Sequence, residues 1–320
     1  MPLTTDEKLL ALGRETIALF DKANGGVHPG FRPAHAKGIL LRGTFTPSPE
    51  AASLSGAPHL HRNSTPVTVR FSDFAGIPTV ADNDSQSASP RGFAVRFHLA
   101  EHVHTDIIGH SVDNFPVSTA EGLVEFLNAV IATDPKGPHP NAIEQFLGAH
   151  PAAMRFVQMP KPIPTSFARE SFFAVSAFKF TNADGGSHYG RYRVLPIAGN
   201  EYLDDAAAAA RGPNFLFDEI KARVAREPVR FRVVVQLAEV GDIVDDATVR
   251  WPETRPQRAF GEITLQEIIA NNDREQQYII FDPIPRVGGI ETSADPLFEP
   301  RANIYLISGR RRRAADEQQT

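Results

Sequence analysis

Two segments in which apolar residues occupy every second position constrain the fold of this 320-residue chain most strongly. In residues 66–72 the alternating apolar residues are Val, Val and Phe, and in residues 91–99 they are Phe, Val and Phe. Successive side chains of a β-strand point to opposite faces of the sheet, so this spacing places the apolar residues of each segment on one face. The pattern predicts two strands of a sheet that has one apolar face.

The rest of the chain mixes weaker strand patterns with helical ones. Further strands are predicted at residues 38–47, 172–181, 189–195, 229–237 and, less regularly, 276–281. Helices are predicted within residues 4–24, 118–131, 141–149, 152–159, 204–210, 214–225 and 293–315. Because helical blocks separate groups of strands and do not alternate with single strands, we expect an α+β fold built around an antiparallel β-barrel. No linker divides the chain, so we expect residues 1–320 to form one domain.

Two of the predicted helices begin with the capping-box pattern. Thr4 is followed three residues later by Glu7, and Ser118 by Glu121. In a capping box, the hydroxyl and the carboxylate each accept a hydrogen bond from a backbone amide of the first turn. We therefore expect Thr4 and Ser118 to cap these helices.

The composition excludes several classes of protein. The chain has no cysteine, which excludes disulfide bonds, thiolate metal sites and iron–sulfur clusters. Its formal net charge of −5 gives no field that attracts nucleic acid. No apolar run approaches the length that spans a bilayer, and the first residues are too acidic for a signal peptide. We therefore expect a cytoplasmic protein with neither nucleic acid nor a membrane as partner.

Phenylalanine is unusually frequent, with 22 Phe against 5 Tyr and 1 Trp. Each aromatic side chain buries a large apolar area. These residues either fill the interior of a barrel or form the wall around a flat apolar ligand, and the composition does not decide between the two.

The histidines and tyrosines include the residues best suited to catalysis or metal binding. His59 with His61 and His102 with His104 are spaced like metal ligands, but the chain has no cysteine and no HExxH motif to complete a zinc site. We interpret these pairs as surface or polar-network residues. Arg301 and Tyr305 are four residues apart, so on a helix they share one face, and the guanidinium favours the phenolate form of the tyrosine. A buried phenolate is a ligand for ferric haem iron.

Six segments resemble motifs of the haem catalase family and follow one another in the same order. They are RPAHAKG (32–38), VRFSDFAG (69–76), PRGFAVRF (90–97), TDIIGHSVDNF (105–115), FKFTNADG (178–185) and GGIETSADPLFEPRANIY (288–305). The resemblance covers most of the chain and is strongest to the short members of the family, the catalase-related peroxidases. It implies a catalase-like barrel with surrounding helices, in a minimal version without the long N-terminal arm and the C-terminal helical domain of full catalases.

The resemblance also implies a cofactor, haem b, and a role for nine residues. His35 corresponds to the distal acid–base residue and Ser72 to its hydrogen-bonding partner, while Tyr305 corresponds to the iron ligand. The remaining cofactor-binding positions are Arg32, Arg70 and Arg312 at the haem propionates, Phe115 near the haem face and Arg301 beside the ligand. His110 stands where the family carries a distal asparagine, and we expect it in the distal pocket.

The departures from the family favour a peroxidase over a catalase. Replacement of the distal asparagine by His110 predicts weak residual catalase activity. A shorter approach to the haem would admit a small organic electron donor, so the expected reaction is reduction of hydrogen peroxide or organic peroxides by such a donor. Without the arms that interlock a tetramer, we expect a homodimer.

Two alternatives remain open on the sequence. The first stays within enzymes and is a true small catalase or an enzyme that rearranges fatty-acid hydroperoxides. The second is a non-enzymatic haem-binding protein, which would have no use for an oriented distal base. Retention of His35 and Ser72 favours an enzyme.

Overall fold

A computed structural model describes residues 3–317 and shows that the strands are mostly parts of one antiparallel sheet. The strands are β1 (Gly38–Pro47), β2 (Thr65–Ser72), β3 (Gly92–Ala100), β4 (Val103–His110), β5 (Ile163–Pro164), β6 (Phe172–Phe173), β7 (Phe178–Thr181), β8 (Ser187–Pro196), β9 (Tyr202–Leu203), β10 (Val229–Leu237), β11 (Gln257–Ile268) and β12 (Ile290–Thr292). Only β5 and β9 lie outside the large sheet, in a separate two-stranded pair.

Helices lie between these strands and at both ends of the described chain. They are α1 (Glu7–Ala23), α2 (Ala51–Leu54), α3 (Ala120–Ala132), α4 (Ala142–Ala149), α5 (Pro151–Gln158), α6 (Asp205–Ala209), α7 (Phe215–Val224), α8 (Asn272–Tyr278) and α9 (Phe298–Glu317). The helix predicted at residues 293–315 therefore begins five residues later, at Phe298, and the one predicted at residues 4–24 runs from Glu7 to Ala23. Within residues 3–317, no helix is both long and apolar enough to cross a membrane.

Eight strands close into a barrel because the sheet returns on itself. The order is β10–β11–β1–β2–β3–β4–β6–β8. The last strand, β8, also pairs with the first, β10, with Val194 opposite Val233. Closure leaves these eight strands without a free edge. The predicted antiparallel barrel with helices around it is confirmed.

Phenylalanine fills the interior of this barrel. Nine fully buried Phe side chains belong to one core cluster: Phe45, Phe71, Phe93, Phe97, Phe167, Phe172, Phe180, Phe231 and Phe260. Their rings pack closely, as in the stacked pair Phe93–Phe172, whose centroids are 5.0 Å apart. Of the two interpretations of the Phe-rich composition, filling of the barrel applies to these residues.

Several strands and one helix differ from the sequence patterns. The longest strand, β11, was not predicted because its apolar residues Phe260 and Ile263 are three positions apart, which breaks the period of two. A register shift opposite Val233 and Val234 accommodates this spacing. Strand β4 was not predicted either. Residues 276–281, predicted as a strand, contain instead the end of α8, and the strand predicted at residues 172–181 is split into β6 and β7.

Both predicted capping boxes are wrong by one or two residues. The carboxylate of Asp6 accepts hydrogen bonds from the amides of Lys8 and Leu9, and therefore Asp6, not Thr4, caps α1. Thr119 accepts from the amide of Gly122 and caps α3 in place of Ser118. Asp, Thr and Ser all have suitable side-chain oxygens, so the pattern alone does not fix the position.

Helix α1 packs against α9 and fixes its position. Asp21 of α1 accepts two hydrogen bonds from the guanidinium of Arg311, and Gly13 of α1 lets Ile307 pack closely, because a Cβ there would lie 3.1 Å from the Ile307 Cδ1. The position of α9 matters because this helix carries Arg301, Tyr305 and Arg312.

His59 is a buried imidazole that makes the folded protein sensitive to acid. It lies among Phe45, Phe97 and Phe260 with its Nδ1 unpartnered, and burial lowers its pKa from 6.5 to about 3. Below pH 6.5, the pKa of a histidine in the unfolded chain, His59 takes up a proton in the unfolded chain but not in the folded protein. The free energy of unfolding therefore decreases as pH falls from 6.5 towards 3.

Replacement of His59 by Phe should therefore reduce the loss of stability in acid. Between about pH 7 and about pH 5, the free energy of unfolding of the His59→Phe variant should fall by about 2 kcal/mol less than that of the unchanged protein. Urea titrations at the two pH values measure this difference. The exposed His188 on β8 provides a control, and an equal gain from His188→Phe would contradict the assignment.

Candidate functional site

Four strands present one row of residues on the outer face of the barrel. Gly38, Ser72, Gly92 and His110 are paired in succession across β1, β2, β3 and β4. Directly paired residues of antiparallel strands point to the same face. Their sequence neighbours, such as Phe71, lie in the core, so the row faces away from the barrel interior.

His35 lies over this row. A Cβ added to Gly92 would lie 2.7 Å from the Nδ1 of His35 and still closer to the Oγ of Ser72, so the ring occupies the space that the glycine leaves. The Nδ1 of His35 and the Oγ of Ser72 are 3.1 Å apart and hydrogen-bonded. The edge of the ring packs against Phe74, at a centroid distance of 5.4 Å.

The backbone of His35 is in the left-handed region, with φ of 59°, and is held there by hydrogen bonds. Its amide donates to the carbonyl of Phe74 (2.6 Å), and its carbonyl accepts from the guanidinium of Arg70 (2.9 Å). This conformation costs free energy for a residue other than glycine and persists where the surroundings fix it. The imidazole is therefore fixed at both the backbone and Nδ1.

His35 stays neutral over the whole range in which the protein is expected to work. Burial and the nearby charge of Arg70 lower its pKa from 6.5 to about 3, against a backbone hydrogen bond with Asp73 that raises it. The Nδ1 is bonded to the hydroxyl of Ser72, which leaves the Nε2 to face a bound molecule. A neutral imidazole with a free Nε2 can take a proton from a bound molecule and return it.

His110 brings a second imidazole to the same face. Its Nδ1 accepts from the amide of Val112 (3.3 Å), which puts the ring proton on Nε2, and that Nε2 is buried without a hydrogen-bond partner. Burial, followed by the charge of Arg301, lowers the pKa of His110 to about 4. The ring is stacked with that of Phe115 at a centroid distance of 6.2 Å. His110 thus presents an N–H donor with nothing among the described residues to accept it.

Three buried or half-buried arginines, Arg32, Arg70 and Arg312, converge on one short segment and form what we term the arginine cluster. Arg32 donates to the carbonyls of Gln276 and Ile279, both at 3.0 Å. The Nε of Arg70 donates to the side-chain oxygen of Gln276 (3.0 Å). The third member donates to the carbonyls of Gln277 (3.3 Å) and Ile279 (2.9 Å). The end of α8 therefore supplies the acceptors for all three.

Among the described residues, no carboxylate is ion-paired with the arginine cluster, although the charge of Asp73 acts on Arg70. Within residues 3–317, none of its members forms an ion pair, although the same part of the chain contains more than twenty other pairs. Burial and the mutual repulsion of the guanidinium groups lower the pKa of each member, that of Arg70 to about 9. Buried cations are normally paired with anions. The cluster has the charge and the donors to bind a ligand that carries carboxylate groups.

Arg301 and Tyr305 lie on one face of α9, as the spacing predicted. The Nη2 of Arg301 is 3.4 Å from the hydroxyl oxygen of Tyr305. Burial acts against the charge of Arg301, but the interactions with Tyr305 and the charge of Asp295 together outweigh it, so the pKa of the guanidinium is raised. Tyr305 also interacts with Arg32, and Arg301 with His110, so the pair is close to both the arginine cluster and the second imidazole.

The structure brings all nine predicted site residues into one connected region. It also gives distinct environments to the four consecutive arginines at residues 310–313. Arg312 is 3% exposed and belongs to the cluster, Arg311 pairs with Asp21, and the other two are exposed.

Two contributors were missed by sequence reasoning. Gln276 accepts from Arg70, but its segment had been predicted as a strand, so nothing pointed to it. Gly92 makes room for the bond between His35 and Ser72, and its only signal was its place in the PRGFAVRF motif. Of the histidines interpreted as surface or polar-network residues, His61 and His102 are exposed, but the interpretation is wrong for His59, which is buried among phenylalanine rings.

Comparison with known proteins assigns the family. The catalase family model matches residues 14–320. The chain is 34% identical over 298 residues to a catalase-related peroxidase of Mycolicibacterium paratuberculosis, covering 92% of this chain and 93% of that protein. It is 31% identical over 287 residues to a catalase-related peroxidase of Synechococcus elongatus, covering 88% and 84%. The chain belongs to the catalase family, whose members are haem-dependent oxidoreductases that act on peroxide.

Solved catalases share the fold. A fungal catalase superposes with a TM-score of 0.78 at 21% identity, and catalase A of Saccharomyces cerevisiae with a TM-score of 0.76 at 22% identity. Each match covers 88% of this chain but only 59% and 61% of the catalase. The expected catalase-like barrel is confirmed.

Substitution of Gly92 tests whether the distal geometry depends on the absence of a side chain. A methyl group there would push apart His35 and Ser72, so Gly92→Ala should destabilise the protein by about 1–3 kcal/mol. It should also change the imidazole NMR signals of His35. Gly288→Ala provides the matched control, because nothing lies within 4 Å of a Cβ at that position. Unchanged His35 signals in Gly92→Ala would contradict the geometry.

Proposed function

We propose that the protein binds haem b and reduces hydrogen peroxide or organic peroxides with electrons from a small organic donor. The observation that carries the proposal is the arginine cluster without a carboxylate partner, on the same face as two neutral imidazoles and an Arg–Tyr pair. Two curated relatives named catalase-related peroxidases support the choice of reaction.

The residues present fit haem on both sides. Arg32, Arg70 and Arg312 would hold the propionates, because planar guanidinium groups bind carboxylates in bidentate fashion and no carboxylate among the described residues is ion-paired with the cluster. Tyr305 would ligate the iron, and Arg301 would keep its oxygen anionic. Haem, when bound, supplies an iron centre at which the peroxide bond can be cleaved and electrons exchanged.

The chain's own residues handle the proton. The Nε2 of His35 accepts a proton from one peroxide oxygen and donates it to the other, while Ser72 keeps the ring in its orientation through Nδ1. The Nε2–H of His110 donates a hydrogen bond to the second oxygen, which gives its unpartnered group an acceptor. Phe115 packs against His110 and limits the motion of that ring.

The proposal has four further parts. The donor is a small organic molecule, residual catalase activity is weak because His110 stands in place of an amide, the protein is a homodimer, and it is located in the cytoplasm. We also propose that residues 1–320 act as one haem-binding domain, which the single large core cluster of the barrel supports.

Replacement of Tyr305 tests the iron ligand. Tyr305→Phe removes only the phenolic oxygen. The ferric protein should therefore lose the absorption bands of a tyrosinate ligand and bind haem more weakly. Haem titration followed by absorption spectroscopy measures both effects. The exposed Tyr189 supplies the control substitution Tyr189→Phe. Retention of tyrosinate bands by Tyr305→Phe would show that another residue is the ligand.

Replacement of His35 tests the proton transfer. His35→Ala should retain haem but lower peroxide turnover with an oxidisable dye by about 10²- to 10⁴-fold, the usual contribution of a general acid–base. Stopped-flow kinetics with hydrogen peroxide and with an organic hydroperoxide measure the effect, and oxygen release measures the residual catalase reaction. His188→Ala serves as control. Equal turnover in the variant and the unchanged protein would refute the assignment of His35.

A further inference from the structure

Four charged residues are buried together beside the segment that carries His35. Asp73, Asp82 and Arg91 have no exposed surface, and Lys37 has little. Lys37 forms a short ion pair with Asp82, and Arg91 forms one with Asp73. The group contains two cations and two carboxyls. We term Asp73 and Asp82 the carboxyl pair.

The two members of the carboxyl pair are bound unequally. Asp82 uses both oxygens, one with the ammonium of Lys37 and the other with the amide of Leu216 in the first turn of α7 (2.7 Å). Asp73 has one oxygen on Arg91, while its Oδ2 has no hydrogen-bond partner and lies 3.9 Å from the Lys37 ammonium. The ammonium of Lys37 is within ion-pair distance of both carboxyls, which brings Asp73 and Asp82 together.

This asymmetry decides which carboxyl holds a proton. Two carboxylates in contact are not both ionised at low cost, and the one with fewer donors accepts the proton. Asp82 has a cation and a helix N-terminus beside it, whereas Asp73 has a bare oxygen. In agreement, burial raises the pKa of Asp73 to about 7, Arg91 acts against the rise, and Asp82 adds to it.

Backbone hydrogen bonds connect the carboxyl pair to His35. The amide of Asp73 donates to the carbonyl of Lys37 (3.1 Å), and the amides of His35 and Ala36 donate to the segment that follows Asp73. Ser72, the neighbour of Asp73 in sequence, bonds the ring of His35. These bonds hold Asp73 close to His35, so a change of charge at Asp73 changes the electrostatic potential at the imidazole.

We propose that Asp73 is a positioning residue that shares a proton with Asp82 and sets the basicity of His35 by gaining or losing that proton. The inference rests on the proposed haem function and deepens it, because it assigns the pH response of the distal site to a carboxyl outside it. The charged groups that face Asp73 are Lys37, Asp82, Arg91 and, from the arginine cluster, Arg70, together with the Leu216 amide that binds Asp82.

The direction of the response follows from charge. Loss of the proton leaves a negative charge near His35, which strengthens the ring as a base. Hydrogen cyanide that binds ferric haem can leave its proton on the distal base, so its affinity should be about three- to tenfold higher above the transition than below it. The midpoint should lie near neutrality, where His35 itself does not titrate.

Cyanide titration of the ferric holoprotein between about pH 5.5 and about pH 8.5 tests the proposal. The unchanged protein should show the transition, and Asp73→Asn should lose it and keep the weaker affinity. Asp82→Asn removes the neighbouring negative charge and should move the midpoint to lower pH. Infrared titration of the unchanged protein should show a carboxylic acid C=O band that disappears with the same midpoint, whatever the stability of the variants.

A second buried carboxyl supplies the matched control. Burial raises the pKa of Glu170 to about 7 as well, but its hydrogen bonds go to Tyr202 and the Ser171 amide and not to the His35 segment. Glu170→Gln should therefore keep the transition. Persistence of the transition in Asp73→Asn, or its loss in Glu170→Gln, would overturn the proposal.

The outcome also separates this inference from the proposed function. Failure of the unchanged protein to bind haem would refute the proposed function. A haem protein that binds cyanide with one affinity across the whole pH range would refute the role of Asp73 and leave the haem function standing.

Discussion

The register of β1 to β4 is the constraint on which the site depends. Side chains alternate between the two faces of a strand, so a slip of one residue between β2 and β3 would turn Phe71 outward and Ser72 into the core. The packed Phe interior makes such a slip costly, because large buried side chains would be exposed. The energy of the barrel core therefore places Ser72, Gly92 and His110 on one outer row.

Charge is distributed unequally around that row. Among the described residues, the arginine cluster forms no ion pair with a carboxylate and donates to oxygens at the end of α8, an arrangement that leaves most of its positive charge uncompensated. Asp73 and Asp82, by contrast, are matched by two cations, Lys37 and Arg91. The arginine cluster is therefore the group that can bind an anion, whereas the carboxyl pair is already compensated.

The sequence predicted the elements with regular patterns and missed those that depend on irregular pairing. Strands β1 and β10 match their predicted bounds at both ends because both runs are rich in β-branched and aromatic residues. Strand β11 was missed because a bulge interrupts its alternation. Helix α8 was partly predicted as a strand, since the run Tyr-Ile-Ile-Phe after Gln277 has strand composition, while the side chain of Asn272 binds the backbone of Leu40 in another element.

The candidate site divides in the same way. The sequence by itself determined the types of residue, the shared helical face of Arg301 and Tyr305, and the family motifs that contain the site residues. Only the tertiary structure decided that the arginine cluster meets at the end of α8, and that, among the described residues, the Nε2 of His110 and the Oδ2 of Asp73 have no hydrogen-bond partner. The physical reason is that periodicity fixes the local backbone and its faces, whereas closure of the barrel and packing of the helices determine which faces meet and which polar groups find partners.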